Sequence, residues 1–172
     1  MTQLQLPKIR RKVLGDQLAN RLAAVPGGPT IAVYRGEVSA RARWPQVPGS
    51  VDPPLLQTSA GQPDPSGVIA PYVVLFDGTG PTSIEPALDP MQGEELRWTP
   101  QTTVAAGTTE DCIQAVDRVC AWLKPWQPVL DDVAAGFLVL PPGFDPGPPR
   151  PDRTVEPHRV FVPLLWRLDL TT

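Results

Sequence analysis

VIAPYVVLF (68–76) and EELRWTPQTTVA (94–105) decide the fold. The first is the most apolar run in the chain and carries no charge, so it reads as a central strand buried on both faces. Pro71 has no N–H to give a ladder, which predicts either a bulge there or a strand that begins at Tyr72. The second run alternates. Leu96, Trp98, Thr102 and Val104 share one face, Arg97, Thr99, Gln101 and Thr103 the other, and Pro100 interrupts them. Between the two lie a turn signal, Asp77-Gly78-Thr79-Gly80-Pro81, and a polar connection at 82–93. No helix intervenes, so the two strands are expected to pair antiparallel.

Working outward, TEDCIQAVDRVCAWLK (109–124) is the clearest helix. Thr108 suits the N-cap, with Asp111 three residues on. Glu110 and Asp111 favour the positive end of the helix dipole. Cys112, Ile113, Val116, Val119, Cys120 and Leu123 form the apolar stripe, and Lys124-Pro125 ends it. A first helix is expected at 11–25, with Leu14, Leu18, Leu22 and Val25 a turn apart. Pro26-Gly27-Gly28-Pro29 stops it. TIAVYRGEV (30–38) reads as a strand, GFLVL (136–140) as a weaker one. HRVFVPLLWRLDL (158–170) reads as one long closing strand with Val160, Val162, Leu164, Trp166, Leu168 and Leu170 on one side, and Pro163 puts it at an edge or bulge. The sum is an α+β fold. A mostly antiparallel sheet of about four to five strands has two helices packed on one face. Two long Pro-rich arms, 39–67 and 141–157, complete a single domain spanning 1–172.

Composition supports a packed body. The chain has 172 residues, 41% of them hydrophobic and 19% charged, with 24 Pro and 14 Gly. It is too apolar for a disordered chain and has no run near the roughly 20 residues that span a bilayer, so no membrane segment is expected. Pro45 to Pro65 holds six prolines and 141–157 seven, which favours extended, stiff chain. Charge is segregated. Residues 1–50 carry eight Lys/Arg against Asp16 and Glu37, whereas 51–100 carry seven acids against Arg97 alone. Such a distribution suits copies meeting positive patch to negative patch. Basic residues sit at Lys8, Arg10, Arg11 and Lys12, ahead of the first helix, but a pI near 5.1 is wrong for a dedicated nucleic-acid binder. The N-terminus lacks an apolar signal region, and cytosolic synthesis and folding are expected.

Chemistry is sparse. Cys112 and Cys120 lie eight residues apart on one helix, about 12 Å along its axis, too far to pair. They read as small core residues. The single histidine, His158, has no serine in a nucleophile elbow to serve. One His and two same-helix Cys make no zinc site. Asp131-Asp132 reads as solvated loop. No Gly-rich phosphate loop is present. The chain is therefore expected to be no enzyme, with no cofactor and no metal.

VYRGEV (33–38), APYVVLFDGTG (70–80), QTTVAAGTTEDCIQAVDRVCAWL (101–123), PGFDPGPPRPDRTV (142–155) and RVFVPLLWRLDLTT (159–172) together resemble the tail terminator, or tail completion, family of long-tailed actinobacterial phages. The resemblance implies an α+β fold and a hexameric ring that caps the tail tube, stops its polymerisation and meets the head-side connector. The partners it implies are the chain itself, the major tail tube protein and the connector or stopper, with DNA only a passenger through the lumen. The implied location is the neck of the virion, after assembly in the bacterial cytoplasm. Two departures stand out: Pro100 falls where the family pattern has a strand residue, and the 39–67 segment is longer. Aromatic and Arg residues dominate interface hot spots. The expected interface residues are accordingly Arg41, Arg43 and Trp44 in the first arm, and Phe144, Asp145, Arg150, Asp152 and Arg153 in the second. The alternatives are a head-tail connector, stopper or adaptor of the neck; a small cytosolic hydrolase using His158; and a monomeric module presenting its Pro-rich arms to a peptide-binding domain.

Overall fold

The computed structural model describes residues 7–35, 67–77, 95–130, 133–134, 136–153 and 158–171. Its elements are α1 (Pro7–Ala23), β1 (Ala32–Arg35), β2 (Tyr72–Phe76), β3 (Glu95–Trp98), β4 (Gln101–Ala106), α2 (Thr109–Leu123), β5 (Val129–Leu130), β6 (Val133–Ala134), β7 (Arg150–Asp152), β8 (Arg159–Leu165) and β9 (Leu168–Thr171). The main sheet runs β1-β2-β4-β8-β7, and two small ladders, β3-β9 and β5-β6, stand beside it. Only β1-β2 is parallel; β2-β4, β4-β8 and β7-β8 are antiparallel. The architecture is α+β, with a five-stranded, mostly antiparallel sheet.

β2 begins at Tyr72, directly after Pro71, and four of its five residues are buried. The two alternating runs of the sequence pair with each other. Each is split, however: Pro100 separates β3 from β4, and Trp166-Arg167 separates β8 from β9. The register stays unbroken across the split, from Glu95↔Thr171 and Trp98↔Leu168 to Gln101↔Leu165 and Ala106↔Val160. Pro100 therefore interrupts the ladder without a bulge. It lacks the N–H, but its carbonyl still accepts from Trp166 N at 2.9 Å. Arg167 turns its backbone the other way and pairs with Val139, N to O at 2.7 Å and O to N at 3.0 Å. Of the weaker strand expected at 136–140, only this isolated bridge remains.

One face of this ribbon is a buried stripe: Trp98, Thr102 and Val104 opposite Leu168, Leu164 and Val162, with Trp166 between them. Truncating a buried Trp typically costs about 3–5 kcal/mol, so the two tryptophans are the largest single packing contributions here. Each indole also finds an acceptor. Trp98 Nε1 donates to Asp77 O at 2.8 Å, and Trp166 Nε1 donates to Thr102 Oγ1 at 2.9 Å.

Both helices pack on that same face. α1 presents Leu14, Leu18 and Leu22, as its spacing predicts. It starts at Pro7, earlier than the 11–25 pattern, because proline at the first helical position loses no hydrogen bond and its φ is already helical. Lys8, Arg10 and Arg11 thus belong to the helix itself. In α2 the Thr108 cap forms as expected: its hydroxyl oxygen accepts from Asp111 N at 3.1 Å. The buried stripe is Cys112, Ala115, Val119 and Leu123. Ile113, expected in that stripe, is 45% exposed, since it sits about 100° around the helix from Cys112.

The helices are clamped together by side chains that reach the other's backbone. Arg21 donates to Trp122 O and lies over the Trp122 ring at 3.4 Å, while Trp122 Nε1 donates to Arg21 O. Arg118 collects the carbonyls of Val25, Pro26 and Pro29, the loop leaving α1. Gly28 makes room for it: a Cβ there would lie 2.9 Å from the guanidinium. Gly15 allows a second close approach. Arg35 bridges Asp16 and Asp77 against α1, where a Cβ at Gly15 would lie 2.6 Å from Asp77 Oδ1.

Thr102→Val is expected to lower stability by about 1–3 kcal/mol, because it leaves a buried indole N–H without an acceptor. Urea unfolding followed by circular dichroism measures it. The loss should shrink when Trp166→Phe is present as well; an unchanged urea midpoint for Thr102→Val would refute the account.

Candidate functional site

The interface residues expected from sequence divide sharply. Arg41, Arg43 and Trp44 lie outside the described residues, as does nearly all of the 39–67 arm. Of the second arm, 141–153 is described. It opens on a tight turn, Phe144 N to Pro141 O at 3.0 Å with Gly143 at φ 75, and continues through an Asx turn in which Asp145 Oδ1 accepts from Gly147 N at 2.8 Å. It then joins the sheet as β7, so its last part is an edge strand. Arg150 pairs with Phe161, Pro151 with Val160 and Asp152 with Arg159.

These charged residues differ in exposure. Arg150 and Arg153 are exposed along the outer edge. Asp152 turns inward and holds Arg159, with Nε at 2.8 Å and NH2 at 2.6 Å from the same carboxylate oxygen. Their side chains are only 15% and 14% exposed, so Asp152 is a fold-forming partner, and Arg159 is the residue that sequence reasoning missed. The seven-residue gap between them is the spacing of two strands leaving one short connection, which would have found the pair. Pro151 faces the free side of β7. Backbone groups alternate along β8, and those of Val160 point to β4; Pro151 opposite it therefore turns its N, which has no hydrogen, outward. A proline there denies a hydrogen-bonding row to any added strand, and recognition at this edge falls to side chains.

On the face away from the helices the sheet forms a groove of about 160 Å³. Its floor is Tyr72, Val74, Phe76, Thr103 and Phe161, and the Asp152–Arg159 pair closes one end. Tyr34 stands edge-on to Tyr72, ring centres 5.9 Å apart at 72°. The Tyr72 hydroxyl accepts a long contact from Arg159 NH1 at 3.4 Å. Burial pushes the Tyr72 phenol above its ordinary pKa, against the pull of Arg159, so it stays neutral.

Among the described residues, no group of three or more His, Cys, Asp or Glu could hold a metal. The five serines lie outside the described residues, and His158 is exposed just before β8. No described helix is long and apolar enough to cross a membrane. Both cysteines are free thiols. Cys112 is fully buried, its Sγ 3.8 Å from Val104 O, and burial raises its pKa to about 11. Burial raises Cys120 as well. The thiolate is the nucleophilic form, so neither is built for nucleophilic work near neutral pH. Set against known proteins, the chain matches no family model, no curated protein and no solved structure.

A thiol whose folded-state pKa is raised binds its proton longer than the unfolded chain does. Its contribution is complete below the unfolded value, near 8.5, and is lost as pH climbs to about 11. Stability measured by urea at pH 8 to 11 should therefore fall, and Cys112→Ala should flatten part of that fall. An identical slope in the variant would count against the burial of this thiol.

Proposed function

We propose that the chain is a structural assembly protein of a phage virion, a tail terminator that works as a ring of identical subunits at the top of the tail tube. What supports the reading is the outer edge of the sheet. Arg150 and Arg153 stand exposed there, on a Pro-rich segment pinned to the body through Asp152 and Arg159. A short edge closed to strand addition and bearing two guanidinium groups favours side-chain recognition of a carboxylate-rich surface. The chain's own sequence holds a candidate for such a partner in the acidic stretch 51–100, with seven Asp/Glu against Arg97 alone. The α+β class of the fold also agrees with what the sequence resemblance implies. In this reading the ring caps the tube protein on one side, meets the head-side connector on the other, and passes DNA through its lumen without reading it.

Native mass spectrometry should give a closed multiple of the 18.6 kDa chain. Arg150→Glu combined with Arg153→Glu should shift the population to smaller species with unchanged circular dichroism, because like charges then face each other across the contact. Particles lacking the protein should carry overlong tails. Normal-length tails separate from filled heads would instead assign it to the connector, and a monomer that never caps tube ends would sink both readings.

A further inference from the structure

The sheet's second face is apolar and aromatic, and no described element lies across it. Ile69, Tyr72, Val74 and Ala105 are nonetheless between 0% and 3% exposed there, with Phe76 and Phe161 half-buried beside them. The handedness of the sheet says what belongs on that face. Trp166 N donates to Pro100 O, which sets the alternation along β4: residues facing the helices turn their backbone groups toward β8. For L-residues this fixes the view. Seen from the helix side with β4 running upward, β8 lies to the right, and β2 and then β1 lie to the left. Turned so that the parallel pair β1-β2 runs upward, β2 stands to the left of β1. A connection from β1 to β2 over the helix side would then be left-handed, and one over the aromatic side right-handed. About 98% of such crossovers are right-handed.

We propose that the aromatic face is the docking surface for this chain's own segment 36–66, the connection between β1 and β2. Three further observations agree. The helix side is already filled, with Val73, Leu75 and Val104 packed in one cluster with Leu14, Leu18 and Val119. The chain returns on the aromatic side: Ile69 is fully buried there, and its carbonyl accepts from Gly107 N at 3.0 Å. The segment is far longer than the roughly 10–12 residues a crossover needs, and it carries Trp44, Val51, Leu55 and Leu56 as apolar contacts for the groove. The Asp152–Arg159 pair at the groove's end is the polar limit of that contact.

The test uses the full-length chain with the photo-crosslinker p-benzoylphenylalanine. Thr103→p-benzoylphenylalanine places it on the groove floor. Phe76→p-benzoylphenylalanine is a second position, replacing one aromatic by another. Ile113→p-benzoylphenylalanine, exposed on α2, is the control. The expected result is a crosslink into the 36–66 peptide from the two face positions and none from Ile113, with the product running at the mass of one chain. A product of two-chain mass would overturn the assignment in favour of a neighbouring copy's segment. Crosslinks into 36–66 from Ile113 alone, or from none of the three, would overturn the crossover itself. This outcome is independent of whether the protein forms a ring, so the two proposals fail separately.

Discussion

The antiparallel ladder between β4 and β8, carried through Pro100 into β3 and β9 in one register, is the constraint on which the rest of the molecule depends. Strand register has a period of two, so a slip by one residue would turn one side of the ladder over and send either Trp98, Thr102 and Val104 or Val162, Leu164, Trp166 and Leu168 out of the core. The buried stripe and the two anchored indoles forbid that slip. Fixing the ribbon fixes which face meets the helices. It also places β2 on one side and β7 on the other, and leaves Arg159 where Asp152 can reach it.

Much of this was legible because it rests on local chemistry. The charge-free run at 68–76 announced a strand with both faces covered, and Pro71 set its first residue. Thr108 and Asp111 marked the start of α2, and the leucines at 14, 18 and 22 the inner face of α1. What sequence alone did not settle depended on partners far along the chain. The closing strand read as continuous because nothing in HRVFVPLLWRLDL marks a break; the break arises opposite Pro100 and from the preference of Arg167 for Val139. Ile113 was placed in the core because its neighbours were, and only the direction in which α2 lies on the sheet exposes it.

The candidate interface was legible by composition more than by role. Arg150 and Asp152 looked alike as charged residues in a Pro-rich stretch. The register puts both on the groove face of the edge strand, Arg150 exposed opposite Phe161 and Asp152 held by Arg159. Of the prolines that suggested a stiff arm, Pro151 has a second use, since it lies where a backbone N–H would otherwise point at solvent; Pro163, in β8 itself, lies beyond the end of β7, where no outer strand asks β8 for one. Both fit an edge that has to stay available to side chains while remaining closed to stray strands.

The clamp between the helices bears on how the molecule opens. α1 and α2 are linked through main-chain atoms as well as through packed side chains: Arg21, Trp122 and Arg118 each hold the other helix's carbonyls or the loop it leaves by. Loosening the last turn of one helix therefore strips hydrogen bonds from the other. A pair tied in this way is expected to open as one cooperative unit, with the slowest-exchanging amides of the two helices sharing a single opening free energy. A layer that yields only as a whole gives the sheet a backing that does not fray, whichever load the opposite face is made to carry.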